Sequence, residues 1–354
     1  MEIDFSSINR ILVAKLRHHG DVLLSAPVFS LLKKRFPHLE IDAYIYSETL
    51  PMLEGHPAIS NFILYNKGWK KLPLFKRYRE ELKLLKKIRK GRYDLVINLT
   101  EGDRGAVAAK ISRAPYAIGF DPQGGGMRGK ANCYTHLIKH TPRPRHTVEK
   151  QLDALRVLGI FPTLKERELT FHIPAAAREK IAALLPENYV HIHPVSRWMF
   201  KTLPIETLVA VIHYLQERGE QVVLTASSDP AEMEMNAQLA SQAPGVIDLS
   251  GQLSLKELGA VIEKSRLLIT VDSVPLHLAS VFKKEVVAIF GPTCDQNWGP
   301  WQNPHARVVT LPLSCRPCYQ PGCGGSGQSD CLLNLPTAPI ITAAHELLEQ
   351  AVTV

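Results

Sequence analysis

"LLITVDSVPLHLASVFKKEVVAIFG", residues 267–291, is the stretch that decides the fold. An apolar run ends at Asp272-Ser273, a helix-like run begins at Pro275, and a second apolar run, Val286–Phe290, ends at Gly291. The β-branched outer runs read as buried strands. The middle reads as a helix with Ser273 as N-cap and Pro275 in the first turn. Strand, helix and strand in this order make a parallel crossover unit.

The same alternation extends upstream. Strands are expected at 189–193, 221–225 and the short "VIDLSG" at 246–251, with helices at 205–218, 230–242 and 254–265, the last capped by Ser254. Alternation sustained over roughly 100 residues predicts a doubly wound nucleotide-binding domain. The first half repeats the pattern, with strands near 10–15, 41–46 and 94–99. Its helices are expected near 22–36, 76–90 and 147–158, the last capped by Thr147 and ended by Gly159. Residues 119–130 and 141–146 read as loops. At 354 residues the chain suits two domains. The reading places one at 1–170 and one at 175–336, with 337–354 as a terminal helix expected to pack back on the first.

No run approaches the roughly 18 apolar residues of a spanning helix. The N-terminus lacks the pattern of a secretory signal, so the expectation is a cytoplasmic protein. The net charge of +8 is uneven: Lys67–Arg92 holds twelve Lys/Arg and two Glu, interleaved with Trp69, Phe75 and Tyr78. Such a segment is either a solvated helix face or a surface for nucleic acid, phospholipid or a phosphorylated substrate.

Ligands of open parallel sheets bind beyond the carboxyl ends of the strands. Four segments qualify. Asp21, after Gly20 in "KLRHHGD", is either a helix-start charge or a general base. "HIHPVSRWMFKTLP", 191–204, offers Ser196, Arg197 and Lys201, a set suited to a diphosphate. "VDSVPLHLA", 271–279, offers Asp272, an anion-binding helix start at Ser273, and His277 within reach of it. "FGPTCDQNWGPW", 290–301, either walls the site or packs as a surface loop. There is neither a Walker A loop nor a GxGxxG turn.

Taken in order, "KLRHHGD" with "LLSAPV" and "VDSVPLHLA" with "FGPT" resemble glycosyltransferase family 9, the lipopolysaccharide core heptosyltransferases, and most of all their type III branch. The resemblance covers almost the whole chain. It implies a GT-B fold, α/β, with two Rossmann-like domains facing across a cleft. It also implies inverting transfer of L-glycero-D-manno-heptose from ADP-heptose to a heptose of the inner core. In the type III branch a branching heptose is added to the second core heptose.

By position, the resemblance makes Asp21 the catalytic base. It puts Ser196, Lys201, Asp272, Ser273, Val274 and His277 at the donor, with Glu232 or Glu234 on the ribose. No cofactor is required. The acceptor side would include Gly20, with Arg128, Lys130, Arg143 and Arg145 extending a cationic surface. The implied partners are ADP-heptose, a phosphorylated inner-core acceptor and the anionic cytoplasmic face of the inner membrane, with no nucleic acid. Two positions depart from the family pattern: Val274 stands where a small residue is usual, and Lys201 is followed by Thr202-Leu203-Pro204. Types I and II, or another GT-B transferase, are the neighbouring readings. A basic nucleic-acid-binding protein is the reading from a different class, for which no motif speaks.

Cys315, Cys318, Cys323 and Cys331 form C-x2-C-x4-C-x7-C. In a reducing compartment they are candidate ligands of a structural zinc. The alternative is a set of reduced thiols in a Gly-rich loop.

Overall fold

Two parallel six-stranded sheets organise the chain in the computed structural model, which describes residues 3–350. The chain divides into two units after His172.

The first unit holds β1 (Arg10–Lys15), α1 (His19–Leu23), α2 (Ala26–Arg35), β2 (Glu40–Tyr46), β3 (Asn61–Tyr65), α3 (Leu74–Lys90), β4 (Leu95–Asn98), α4 (Asp103–Ser112), β5 (Tyr116–Phe120), β6 (His136–Ile138) and α5 (Thr147–Arg156). Its strand order is β3-β2-β1-β4-β5-β6. Central β1 pairs Ile11 with Ile41 on one side and with Leu95 on the other, and Ile11 to Ala14 are fully buried. This explains the unbroken apolar run at 11–14, because a parallel strand covered on both faces has no wet side.

The second unit holds α6 (Ala175–Leu184), β7 (Val190–His193), α7 (Ile205–Glu217), β8 (Val222–Leu224), α8 (Pro230–Gln242), β9 (Ile247–Asp248), α9 (Leu255–Lys264), β10 (Leu267–Val271), α10 (Val274–Phe282), β11 (Val286–Phe290), α11 (Asp295–Trp298), β12 (Ala306–Thr310), α12 (Asp330–Leu333) and α13 (Thr337–Gln350). Its order is β12-β11-β10-β7-β8-β9. Ser254 and Glu257 form a reciprocal capping box on α9, two orphan amides satisfied at once.

Local chemistry moves several expected boundaries. The single helix expected over 22–36 is two, because Pro27 has no N–H to carry the helical ladder back to residue 23. Thr147 is the first residue of α5, not its cap. The cap is His146, whose Nδ1 accepts from the Val148 amide at 3.2 Å. The terminal helix, of which residues 351–354 lie outside the described residues, is expected over 337–354 and packed on the first unit. Instead Ile340, Ala344, Leu347 and Leu348 are buried in the core of the second unit, beside strands β10 and β11 and helix α7.

Leu347 is fully buried there. Leu347→Ala is therefore expected to destabilise the protein by about 2–5 kcal/mol, read by urea denaturation. A loss below about 1 kcal/mol would mean that α13 does not belong to this core.

Candidate active site

Each sheet reverses its strand order once, between β1 and β4 and between β7 and β10. At such a point the neighbouring crossovers go to opposite faces, and a crevice opens beyond the strand ends. Within each unit, the residues that leave its two central strands are the ones brought together.

In the first unit, Lys15 ends β1 and its side chain is almost wholly buried. Its ammonium donates to the Leu99 carbonyl at 3.0 Å, just past β4, and lies 3.7 Å from Asp21 Oδ1. Burial lowers the lysine pKa, and the Asp21 charge opposes that shift. Asp21 sits in the first turn of five-residue α1, with buried Gly20 before it. A helix this short is marginal alone. It is held by Gln151 of α5, whose amide donates to the Asp21 carbonyl at 3.3 Å, and by His19, which bonds the Glu48 carbonyl at 2.8 Å. Across the switch, the Leu16 amide donates to Thr100 Oγ1 at 2.8 Å.

In the second unit, Lys201 follows β7 in a short 3-10 turn, and its ammonium donates to Asp272 Oδ2 at 2.6 Å. Asp272 is the residue after β10, and the pair is mostly buried. Ser196 is buried and accepts from the Trp198 amide at 3.2 Å. Ser273 occupies the N-cap position of α10 without making a side-chain cap bond. Its hydroxyl donates to the Val271 carbonyl at 3.2 Å and meets Thr270 Oγ1 at 3.1 Å. The first-turn amides of α10 therefore lack the side-chain acceptor that a serine cap usually supplies. Val274 is half-buried, and His277 is buried with its ring 6.5 Å from Trp298. Trp298 belongs to the 290–301 segment, which thus packs against the site.

Two glutamates were candidates after β8, and the structure separates them. Glu232 is buried, and its carboxylate accepts from the Ser227 amide at 2.9 Å, in the loop that leaves β8. Glu234 is exposed and is bonded to Gln238 on the outer face of α8.

Beneath this site lies a polar knot. Thr225 Oγ1 meets His191 Nε2 at 2.7 Å and His193 Nδ1 at 2.8 Å. The hydroxyl has one proton to give, so at least one ring must donate its own N–H. Both rings are buried. Desolvation drives His191 well below the ordinary histidine range and His193 down to about 4.

The cations expected on the acceptor side divide. Arg128 and Arg143 are exposed. Lys130 is buried, bonded to the Glu101 carbonyl and paired with Asp103 at 3.1 Å. Arg145 grips Asp153 through both terminal nitrogens. These two therefore brace their own loops rather than extend a cationic surface. Glycine is required at Gly126, where φ is +80° and a Cβ would stand 2.3 Å from Asp103 Oδ1.

The four cysteines proposed as zinc ligands or reduced thiols differ in exposure. Cys315 and Cys323 are exposed, while Cys331 is buried in the core of the second unit. Among the described residues, no three Cys, His, Asp or Glu side chains are gathered to hold a metal. Their loop is tied to the site by its backbone. The Cys318 and Tyr319 amides donate to the Pro292 carbonyl at 3.1 and 3.0 Å, and Ser329 Oγ donates to the Phe200 carbonyl at 2.7 Å.

The family model described as glycosyltransferase family 9 (heptosyltransferase) matches residues 81–325. The chain belongs to this family. It is a glycosyltransferase, 33% identical to lipopolysaccharide heptosyltransferase 3 of Escherichia coli over 81% of this chain and 85% of that protein. A family 9 glycosyltransferase from Veillonella parvula superposes with a TM-score of 0.82 at 25% identity, covering 99% of each chain. The ADP-heptose LPS heptosyltransferase II of E. coli follows at 0.75 and 20%, covering 96% of this chain and 99% of that one. The two doubly wound sheets are thus those of a GT-B transferase.

Sequence reasoning passed over Lys15 in this transferase. Its signal was present, a lysine closing an otherwise apolar central strand, where a charge persists only with a partner. The Thr225 knot was hidden, since its members are separated in sequence and only β7–β8 pairing joins them.

Acid sensitivity follows from the buried rings. His193 and His56 both have folded pKa values of about 4, below the 6.5 of an exposed histidine. Between those values the unfolded chain binds more protons, so stability should fall as pH drops from about 6.5 toward 4. Denaturant titrations across that range should show the fall, and His193→Gln should make it shallower. An unchanged slope in that variant would clear His193.

Proposed function

We propose that this transferase moves L-glycero-D-manno-heptose from ADP-heptose to a heptose of the lipopolysaccharide inner core, with inversion, as the type III branch does. The observation that carries the reading is the 33% identity to the E. coli heptosyltransferase 3 along most of both chains. The geometry supplies a mechanism for it.

Asp21 takes the proton from the acceptor hydroxyl as that oxygen attacks the anomeric carbon. Lys15 steadies the carboxylate through Oδ1. The bond to ADP breaks on the opposite face, through an oxocarbenium-like transition state of the kind seen in glycoside cleavage. Negative charge then builds on the departing diphosphate. Lys201, Ser196, Ser273 and the first-turn amides of α10, Val274 among them, are its receptors. Asp272 aims Lys201, and His277 completes the sugar side. Glu232, in the first turn of α8 with its carboxylate on the Ser227 amide, takes the ribose in preference to Glu234.

The acceptor is lipid-borne, and the reading places the protein at the cytoplasmic face of the inner membrane. Among the described residues no helix is long and apolar enough to cross a bilayer. Segment 67–92 supports a peripheral contact. In α3 only Leu84 and Ile88 are buried, while Leu74, Phe75 and Tyr78 stand exposed among its basic residues. Each Lys or Arg near an anionic surface contributes about 1 kcal/mol. Trp69 takes no part, being half-buried edge-on against Tyr65 at 5.0 Å.

Asp21→Ala is expected to cut transfer from ADP-heptose to a defined two-heptose core acceptor by about a hundredfold or more, with ADP-heptose binding retained. Near-normal turnover would remove Asp21 as base, and efficient use of a one-heptose acceptor would overturn the type III assignment. Leu74→Ser/Phe75→Ser should lose co-sedimentation with phosphatidylglycerol vesicles. Undiminished sedimentation would rule out this tip as the contact.

A further inference from the structure

The first unit has a cavity of about 470 Å³ to which none of the roles above is given. It opens beyond the ends of β1, β2 and β4, on the α3 side of the Lys15–Asp21 pair. Its size lies in the ordinary range for small-molecule sites, about 300–1,000 Å³. Tyr46, Leu85 and Val107 supply apolar wall, and Arg17, Arg104, Glu81 and Asp103 supply charge.

These four charges balance formally, but both carboxylates also have cations from outside the lining, Arg77 and Lys130. Glu81 is already served: Tyr65 Oη donates to it at 3.2 Å, and Arg77 and Arg104 lie at 3.4 and 3.6 Å. Asp103 is paired with Lys130 at 3.1 Å and accepts from the Met127 amide at 3.0 Å. Lys67, which lies over the Tyr46 ring at 4.0 Å, is matched by Glu48 at 2.7 Å. The remaining surplus is positive and centred on Arg17 and Arg104.

Arg104 is also preorganised. Its guanidinium stacks 3.7 Å from the centre of the Tyr65 ring, and Tyr65 is fully buried. A planar fork fixed on an aromatic face, with a carboxylate at one edge, can offer its other edge to a ligand without an ordering cost. The site therefore combines apolar wall for the C–H face of a sugar ring with a fixed fork for an anion on that ring.

We propose that this cavity binds an anionic pyranose of the acceptor, with Arg104 and Arg17 on its phosphate or carboxylate and Tyr46, Leu85 and Val107 along the ring. The assignment rests on reading the chain as a lipopolysaccharide core transferase. It makes Arg104 a specificity-determining residue, distinct from the base.

The test compares wild type, Arg104→Ala and Arg104→Lys on three core acceptors at saturating ADP-heptose: phosphorylated, dephosphorylated, and dephosphorylated with its carboxylates reduced. On the phosphorylated acceptor, Arg104→Ala should raise the acceptor KM about tenfold or more, with kcat and donor KM held and part of the loss recovered in Arg104→Lys. If the increase vanishes on the dephosphorylated acceptor, the anion is phosphate. If it persists there and vanishes on the reduced one, the anion is carboxylate. An unchanged KM, a loss confined to kcat, or an equal loss on all three acceptors overturns the proposal. Calorimetric titration of the same oligosaccharides without donor separates this from the transfer reading. Arg104-dependent binding with no turnover from ADP-heptose would sink the latter and leave the pocket standing.

Discussion

Everything in both units hangs on where a parallel sheet changes direction. A strand buried on both faces keeps a polar group only where a partner satisfies it, as Thr225 does for His191. The two central strands of each sheet deliver the polar residues that follow them to one short edge. In the first unit those residues are Lys15 after β1 and Thr100 after β4, and in the second Ser196 and Lys201 after β7 and Asp272 after β10. Both lysine–aspartate pairs follow from this constraint. Each charge is out of water, and each is tolerable because the other is there.

The two pairs are not alike, and the difference matches the chemistry assigned to them. Lys201 and Asp272 touch at 2.6 Å, a charge-assisted hydrogen bond that aims a cation. Lys15 and Asp21 stand farther apart, at 3.7 Å, and the ammonium also donates to the Leu99 carbonyl at 3.0 Å. A base locked in a short bond to an ammonium would have to break it before accepting a proton. The looser pair leaves the carboxylate oriented and unspent.

The parts legible in sequence were those where one local rule acts alone. The 267–291 crossover, the Ser254 cap and helix 230–242 rest on periodicity and capping and could be read directly. Asp21, Lys201 and Asp272 were readable as residues that follow strands. Partners were not readable, because Lys15 with Asp21, or Thr225 with two histidines, become neighbours only through strand pairing. Strand β6, three residues long, carries too few side chains for a period-two signal, whereas β9, two residues long, lies inside the expected "VIDLSG" strand. The spacing of the four late cysteines carries no signal of their exposure, with one thiol buried and two exposed. Helix α13 has an apolar stripe that any core would accept, and sequence does not say which core.

Helix α3 joins the exposed apolar tip of the first unit to its cavity. Its tip carries Leu74 and Phe75, and farther along the same rod are Glu81 and Leu85, which line the cavity beside the Lys15–Asp21 pair. At 1.5 Å per residue, Phe75 and Leu85 are about 15 Å apart along the axis. A straight helix does not stretch, so that interval is a fixed gauge. A sugar carried on a lipid would be chosen partly by its height above the bilayer, and inserting or deleting one helical turn between the two positions would change which ring of the chain is offered to the cavity.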